Sequence, residues 1–341
     1  MVDPPPKVAV KRTSATSLLE DLLEVVTLSG CLPRIQKVQE VVLKPNLVTD
    51  KPEYIALGAN TSIEFLDALL SILSDHGCHT VIAESETGTA AKGRKLDLAW
   101  ERMGLRDLAL RHGAQLVNLS REPTRWIEFS GRGLKGLDLP ERILDCELLI
   151  DIPKIKTHKY AVLTCAMKNL FGLVPEPRRI IYHRWLNETI SDLAGLLSPR
   201  MITLVDGLVG MEGNGPLYGT PVQLDLLMAS ESCFAVDLVA CDLIGVNPDS
   251  VRYLEISEEV KALRKLSIEV IGTPLEEVRR PFKPVQFNLY RLFEKKLMES
   301  RLVHLVTSEW FQRHISSHIA GLTQRLRGGG YSWYLDHPDR K

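Results

Sequence analysis

Four lysines in motif-like settings are the residues of this chain best placed to do chemistry. Lys44 stands in Lys44-Pro45-Asn46, Lys154 and Lys156 in Pro153-Lys154-Ile155-Lys156-Thr157-His158, and Lys168 in Met167-Lys168-Asn169-Leu170-Phe171-Gly172. Compact ammonium groups suit a carboxylate or a phosphate. Lys44, Lys154, Lys156 and Lys168, with Asn46, Asn169 and Asn214, are therefore the candidate ligand-binding residues. An ordinary solvated lysine is the alternative at each position, and the recurrence of four favours function. His158 and His183 are the candidate proton-transfer groups. Imidazole among several cations has its charged form disfavoured and stays neutral, as a general base or a metal ligand requires. Arg178, Arg179 and Arg184 beside His183 add to that positive charge. Glu84, Asp206 and Asp237 could hold a divalent cation through oxygen ligands, against the competing expectation that they pair with the lysines. Asp237 lies in the apolar run Phe234-Ala235-Val236-Asp237-Leu238-Val239-Ala240 and needs a partner to offset its burial; a lysine of the same crevice is the simplest one.

The elements that must position these groups follow from periodicity. Residues 8–10, 41–43, 80–84, 115–118, 126–129, 148–152, 201–205 and 224–229 have the β-branched, apolar character of strands, with helical spacing between several of them. The spacing predicts helices over 17–26, 186–197, 233–244 and 251–264. Another begins at a capping box of Thr61 and Glu64 and ends at Gly77. Alternation of this kind predicts an α/β fold with a largely parallel sheet built from βαβ units. The family-like domain spans residues 1–278, in one or two lobes, and residues 279–341 form a C-terminal helical arm. The lysines and carboxylates then fall just past strand ends, where open α/β sheets bind ligands. The glycine-dense stretch 206–216 follows a strand, and its amides could approach an anion or form a wide turn. It lacks Gly-Lys-Ser/Thr, so it is no P-loop. Lys168 is expected near the start of a helix, whose dipole would favour the same anion.

Composition narrows the function classes. The 341 residues carry 42 Lys plus Arg against 43 Asp plus Glu, so no global field recruits nucleic acid, and attraction to an anion must be local. No apolar run approaches the roughly 18 residues of a membrane span, and the proline-rich start lacks a signal-peptide core. The six cysteines are scattered without a C-x2-C pair, which excludes an iron–sulfur cluster in this chain and predicts a reducing, cytoplasmic location.

Lys44-Pro45-Asn46, the 153–158 and 167–172 runs, Gly213-Asn214-Gly215-Pro216 and Ala235-Val236-Asp237 together resemble the family called domain of unknown function 362, over residues 7–272. Some members of that family carry ferredoxin-type cysteine clusters. This chain resembles a cluster-free member, so an electron-transfer role would need a separate redox partner. The order His158, Lys168, His183 is also similar to that of lactate racemase and its relatives. That resemblance implies Lys168 as the anchor of a nickel-pincer nucleotide, His183 as a metal ligand and His158 as an acid/base, which makes these three the candidate catalytic set. Two departures stand out: Lys168 is not in a glycine pair, and the 84–88 turn has no histidine.

The function expected is that of an enzyme acting on a small anionic metabolite, a carboxylate or phosphate, by racemase- or epimerase-like proton transfer. The alternative is a non-catalytic metal- or anion-binding maturation module serving a redox partner. A third feature is the stripe of Trp310, Phe311, Ile315, Ile319, Leu322 and Leu326, which predicts docking of the arm on its own core or on a second copy in a homodimer.

Overall fold

The computed structural model describes residues 5–86, 94–129, 133–177 and 179–286, with positions 296, 297, 300 and 302. Its strands are β1 (Lys7–Arg12), β2 (Glu40–Pro45), β3 (His79–Glu84), β4 (Gln115–Asn118), β5 (Thr124–Glu128), β6 (Gly136–Pro140), β7 (Leu148–Ile152), β8 (Lys154–His158), β9 (Val162–Thr164), β10 (Met201–Asn214), β11 (Tyr218–Ser230) and β12 (Glu269–Gly272). The main sheet runs β12-β1-β11-β10-β7-β2-β3-β4, with β8 on β10 and β9 on β8. From β10 through β7, β2 and β3 to β4 all neighbours are parallel. Only β11, between β1 and β10, and β9, on β8, run antiparallel within this sheet. The carboxyl ends of β2, β3 and β7 therefore share one edge.

The central strands read as unbroken apolar runs because both faces are covered, the usual state of parallel strands. Val42, Val81, Leu149, Met201 and Val205 pack into one core with the helices Leu186–Leu197 and Cys233–Ile244. Their alternating neighbours Val41, Leu43, Ile82, Leu148, Ile150, Ile202 and Leu204 pack into a second core with Leu18–Leu28 and Ile63–Asp75. A helix-covered sheet of this kind leaves its carboxyl edge as the place where polar groups can gather.

Three local expectations are corrected. The helix Ile63–Asp75 is capped by Ser62, whose side chain accepts from the Phe65 amide, while Thr61 donates instead to the Ile152 carbonyl. The glycine-dense stretch is not a loop. β10 continues through it to Asn214, paired antiparallel with β11, so most of its amides serve the ladder and not an anion. Glycine is needed at 215 because a Cβ there would lie 2.0 Å from the Thr157 carbonyl oxygen. The expected helix over 251–264 is broken at Ser257 into Arg252–Ile256 and Glu258–Leu263, Ser257 capping the second through the Val260 amide. At the start of the C-terminal arm, residues 279–286 carry no regular secondary structure, and positions 296 and 297 are helical. The former segment straps the hairpin, with Phe282 buried, its amide on the Ile244 carbonyl and the Lys283 carbonyl on the Gly213 amide. The stripe from Trp310 to Leu326 lies outside the described residues.

Candidate functional site

The carboxyl edge gathers four of the candidate charges as two buried ion pairs. Lys44, the penultimate residue of β2, places Nζ 2.7 Å from Glu84 Oε2 at the end of β3, both at most 2% exposed. Lys154 opens β8 opposite Asp206 of β10 and pairs with its Oδ2 at 3.0 Å. Asp206 also accepts the Ser62 amide at 2.7 Å and the Leu208 amide at 3.1 Å, so one carboxylate joins a lysine, a helix start and a strand. Lys156 has no carboxylate. It donates to Asn46 Oδ1 at 2.8 Å and to the Ala59 carbonyl, and burial, then Lys154 and Lys168, pushes its pKa well down.

Asparagine and a buried acid link the pairs. Asn169 Oδ1 accepts from Asn46 Nδ2 at 3.0 Å, and its Nδ2 donates to Asp151 Oδ1 at 2.8 Å and to the Lys44 carbonyl at 3.2 Å. Burial drives the Asp151 carboxyl well above its ordinary range, and its Oδ2 meets no donor among the described residues. Gly172 closes over the first pair. A Cβ there would stand 2.6 Å from Lys44 Nζ and 2.9 Å from Glu84 Oε1. Gly172→Ala is therefore expected to cost about 1–3 kcal/mol, the usual range for forcing extra bulk into a packed interior. Urea unfolding measures this, and a variant as stable as wild type would show that the pair yields freely.

Lys168 differs from these lysines. It lies in the short helix Ala166–Asn169, is half-buried, and makes no ion pair or hydrogen bond among the described residues. Burial, then Arg179 and Lys44, lowers its pKa to about 7. Arg179 spends Nη1 on the Gly172 and Val174 carbonyls. His183 stands edge-on to Tyr160 and Phe171, with ring centroids at 5.6 and 5.8 Å, and its Nδ1 is buried without a partner among the described residues. Burial, then Lys168, lowers its pKa to about 3. His158 accepts the Tyr160 and Ala161 amides on Nδ1, both at 3.1 Å, which leaves its proton on Nε2. Burial, then Lys168, pushes its pKa well down. Two neutral imidazoles thus stand within the electrostatic reach of an uncompensated ammonium.

Three site expectations change. Asp237 is not held by a lysine. Its oxygens accept the Ala166 amide at 2.7 Å and the Met167 amide at 3.2 Å, and Cys165 and Tyr253 also favour its charged form. It therefore takes the place at this helix start that an external anion was expected to fill. Burial raises its pKa to about 7. Glu84, Asp206 and Asp237 do not form a metal centre: each is committed to a different partner, and the described residues contain no trio of His, Cys, Asp or Glu arranged for a metal ion. Asn214 ends β10 at the hairpin, where its Oδ1 accepts the Gln286 amide at 3.4 Å. Of the sequence neighbours, Thr87, Gly88 and Arg178 lie outside the described residues. Asp151 and Gly172 were not among the candidate site residues, and Arg179 was expected only as part of the positive charge beside His183. An acid inside the apolar run 148–152 was the available signal for Asp151. A separate cleft of about 450 Å³, lined by Glu128, Glu188, Asp192, Glu258 and Glu259, shares no residue with the lysines, and its acidic lining opposes an anion.

Comparison with known proteins follows this geometry. A thylakoid-associated protein of Synechocystis sp. is 27% identical over 262 residues, covering 72% of this chain and 76% of that protein. Among solved structures, a protein from Thermotoga maritima overlaps 77% of this chain and 62% of its own, at 11% identity and a TM-score of 0.41. The lactate racemase apoprotein from Thermoanaerobacterium thermosaccharolyticum overlaps 70% of this chain and 56% of its own, at 13% identity and a TM-score of 0.41. This chain thus spans less than two thirds of either structure, and such overlaps carry no chemistry across. No helix among the described residues is long and apolar enough to cross a membrane. The model of the family described as Domain of unknown function (DUF362) matches residues 41–242, more than half of the chain and every paired group from Lys44 to Asp237, and the chain belongs to that family.

Proposed function

We propose that this chain is an enzyme that binds a small carboxylate or phosphate over Lys168 and moves a proton on it. The observation that carries this is the contrast between lysines. Lys44 and Lys154 each have a carboxylate, whereas Lys168 has none, and its charge acts on two neutral histidines and is opposed by that of Arg179. A half-buried ammonium without a counter-charge is costly, and an anionic ligand would offset that cost. Lys168 and Arg179 would hold the anion, and its negative charge would lift the depressed pKa of His183 or His158 toward the range in which an imidazole takes and returns a proton. The free cysteines, four of them buried, favour a reducing compartment and hence a cytoplasmic setting.

The described residues build no metal centre of their own. His183 offers one open imidazole nitrogen, His158 has its Nδ1 taken by two amides, and no metal-binding trio exists among the described residues. No step here runs through a metal.

Calorimetric titration with phosphate, sulfate and lactate tests the proposal. Lys168→Met keeps the side-chain length and removes the charge. A charge-assisted hydrogen bond is worth about 1.5–3 kcal/mol, so the variant should bind roughly 10- to 100-fold more weakly and with a shallower salt dependence. Equal binding by both proteins would make Lys168 structural. Exchange of the lactate α-hydrogen with deuterated water, followed by NMR, reads the proton transfer itself.

A further inference from the structure

We propose that Lys168 captures the carbonyl of a 2-oxo acid as a Schiff base, with Arg179 facing the carboxylate. The proposal rests on the anion-binding reading above and adds a covalent step and a substrate class to it. Its basis is how the short helix Ala166–Asn169 is held. On one side the Ala166 and Met167 amides are fixed on Asp237. On the other, the Asn169 side chain is fixed on Asp151, the Lys44 carbonyl and Asn46. The backbone around Lys168 is thus tied at both flanks while its own side chain is left uncommitted among the described residues.

A lysine in that position meets the two conditions for imine formation: a fixed location and a share of free amine at neutral pH. Desolvation and a neighbouring cation are the means by which amine nucleophiles are activated, and here burial and Arg179 supply both. Arg179 forms no ion pair among the described residues; Glu84 and Glu86 act on its charge from a distance, its Nη1 serves backbone carbonyls, and the rest of the guanidinium is the group for the carboxylate next to the carbonyl. Tyr160 and Phe171 pack edge-on against His183 and fix its ring. In the step itself, the Nζ lone pair adds to the carbonyl carbon. Both amine hydrogens and the carbonyl oxygen then leave as water, and C=N replaces C=O with no change in oxidation level. His183, which feels the Lys168 charge and whose Nδ1 has no hydrogen-bond partner among the described residues, would carry the protons between these atoms.

The test is incubation of the full chain with pyruvate and sodium cyanoborohydride, followed by intact mass and peptide mapping. One reduced adduct per chain is expected, on Lys168, lost in Lys168→Arg and suppressed by excess lactate. Arginine keeps the cation for anion binding but cannot form the imine, and the wild-type map decides alone if that variant does not fold. Absence of the adduct, or label spread over lysines equally in both proteins, overturns the Schiff base. Pyruvate that raises the wild-type melting midpoint yet leaves no adduct overturns it too, with the anion site intact. An adduct on Lys168 that neither lactate nor phosphate suppresses supports the imine and removes the anion-binding reading instead.

Discussion

Asp206→Asn is expected to lower folding stability by about 3–5 kcal/mol, the cost of leaving one member of a buried ion pair without its partner. Asp206 is fully buried, and Lys154, at 3.0 Å, is 1% exposed. Asparagine retains one accepting oxygen for three donors: Lys154 Nζ, the Ser62 amide and the Leu208 amide. Lys154 would then remain as a buried ammonium facing an amide. Adding Lys154→Met should return much of the loss, because removing both charges eliminates the uncompensated one. Urea unfolding of the two single variants and the double, with the slope checked for constancy, measures the coupling. A single variant within about 1 kcal/mol of wild type would mean that the pair contributes no more than a surface ion pair does.

Lys168→Met is expected to stabilise the ligand-free protein at pH 6, opposite in sign to its effect on binding. The folded protein lowers the Lys168 pKa from 10.5 to about 7, so folding disfavours the ammonium. Between pH 7 and 10.5 the unfolded chain binds a proton that the native state has released, and wild-type stability from this group rises with pH through that window. Below pH 7 both states are protonated and the full cost is present. The variant's gain in melting temperature should therefore be largest at pH 6 and fade as the pH approaches 10. Scanning calorimetry at pH 6, 8 and 9.5 reads it, and a gain independent of pH would assign the effect to packing. Saturating phosphate at pH 6 should reduce the gap by stabilising the wild type alone.

The sheet was legible because burial on both faces writes long apolar runs, as at 41–43 and 148–152, and the polar residues that interrupt them mark strand ends. The lysines were legible for the same reason. That Glu84 and Asp206 pair with lysines was an open expectation that the ion pairs bear out; which lysine meets which carboxylate was not legible, because pairing depends on register: Lys154 meets Asp206 only because β8 lies on β10 at that residue. Asp237 misled for a related reason. Its apolar neighbours announced a buried carboxylate, but backbone amides, which carry no sequence signal, were what satisfied it. The glycines of 206–216 misled as well, since glycine marks close backbone approach within a hairpin as well as a loop. Ser62 replaced Thr61 as a cap because Thr61 is drawn to the Ile152 carbonyl, a contact between segments 91 residues apart.

The two buried pairs also constrain how such a chain can change over generations. Loss of Lys44 alone strands Glu84, and loss of Asp206 alone strands Lys154. Either single replacement passes through a poorly folded intermediate before the second can restore it. Positions 44 and 84, and positions 154 and 206, should therefore be exchanged together or not at all among descendants, whatever ligand each has come to accept. Lys168, which supports no partner in the described residues, is free of that restraint, so a lineage that abandoned the chemistry would lose it first.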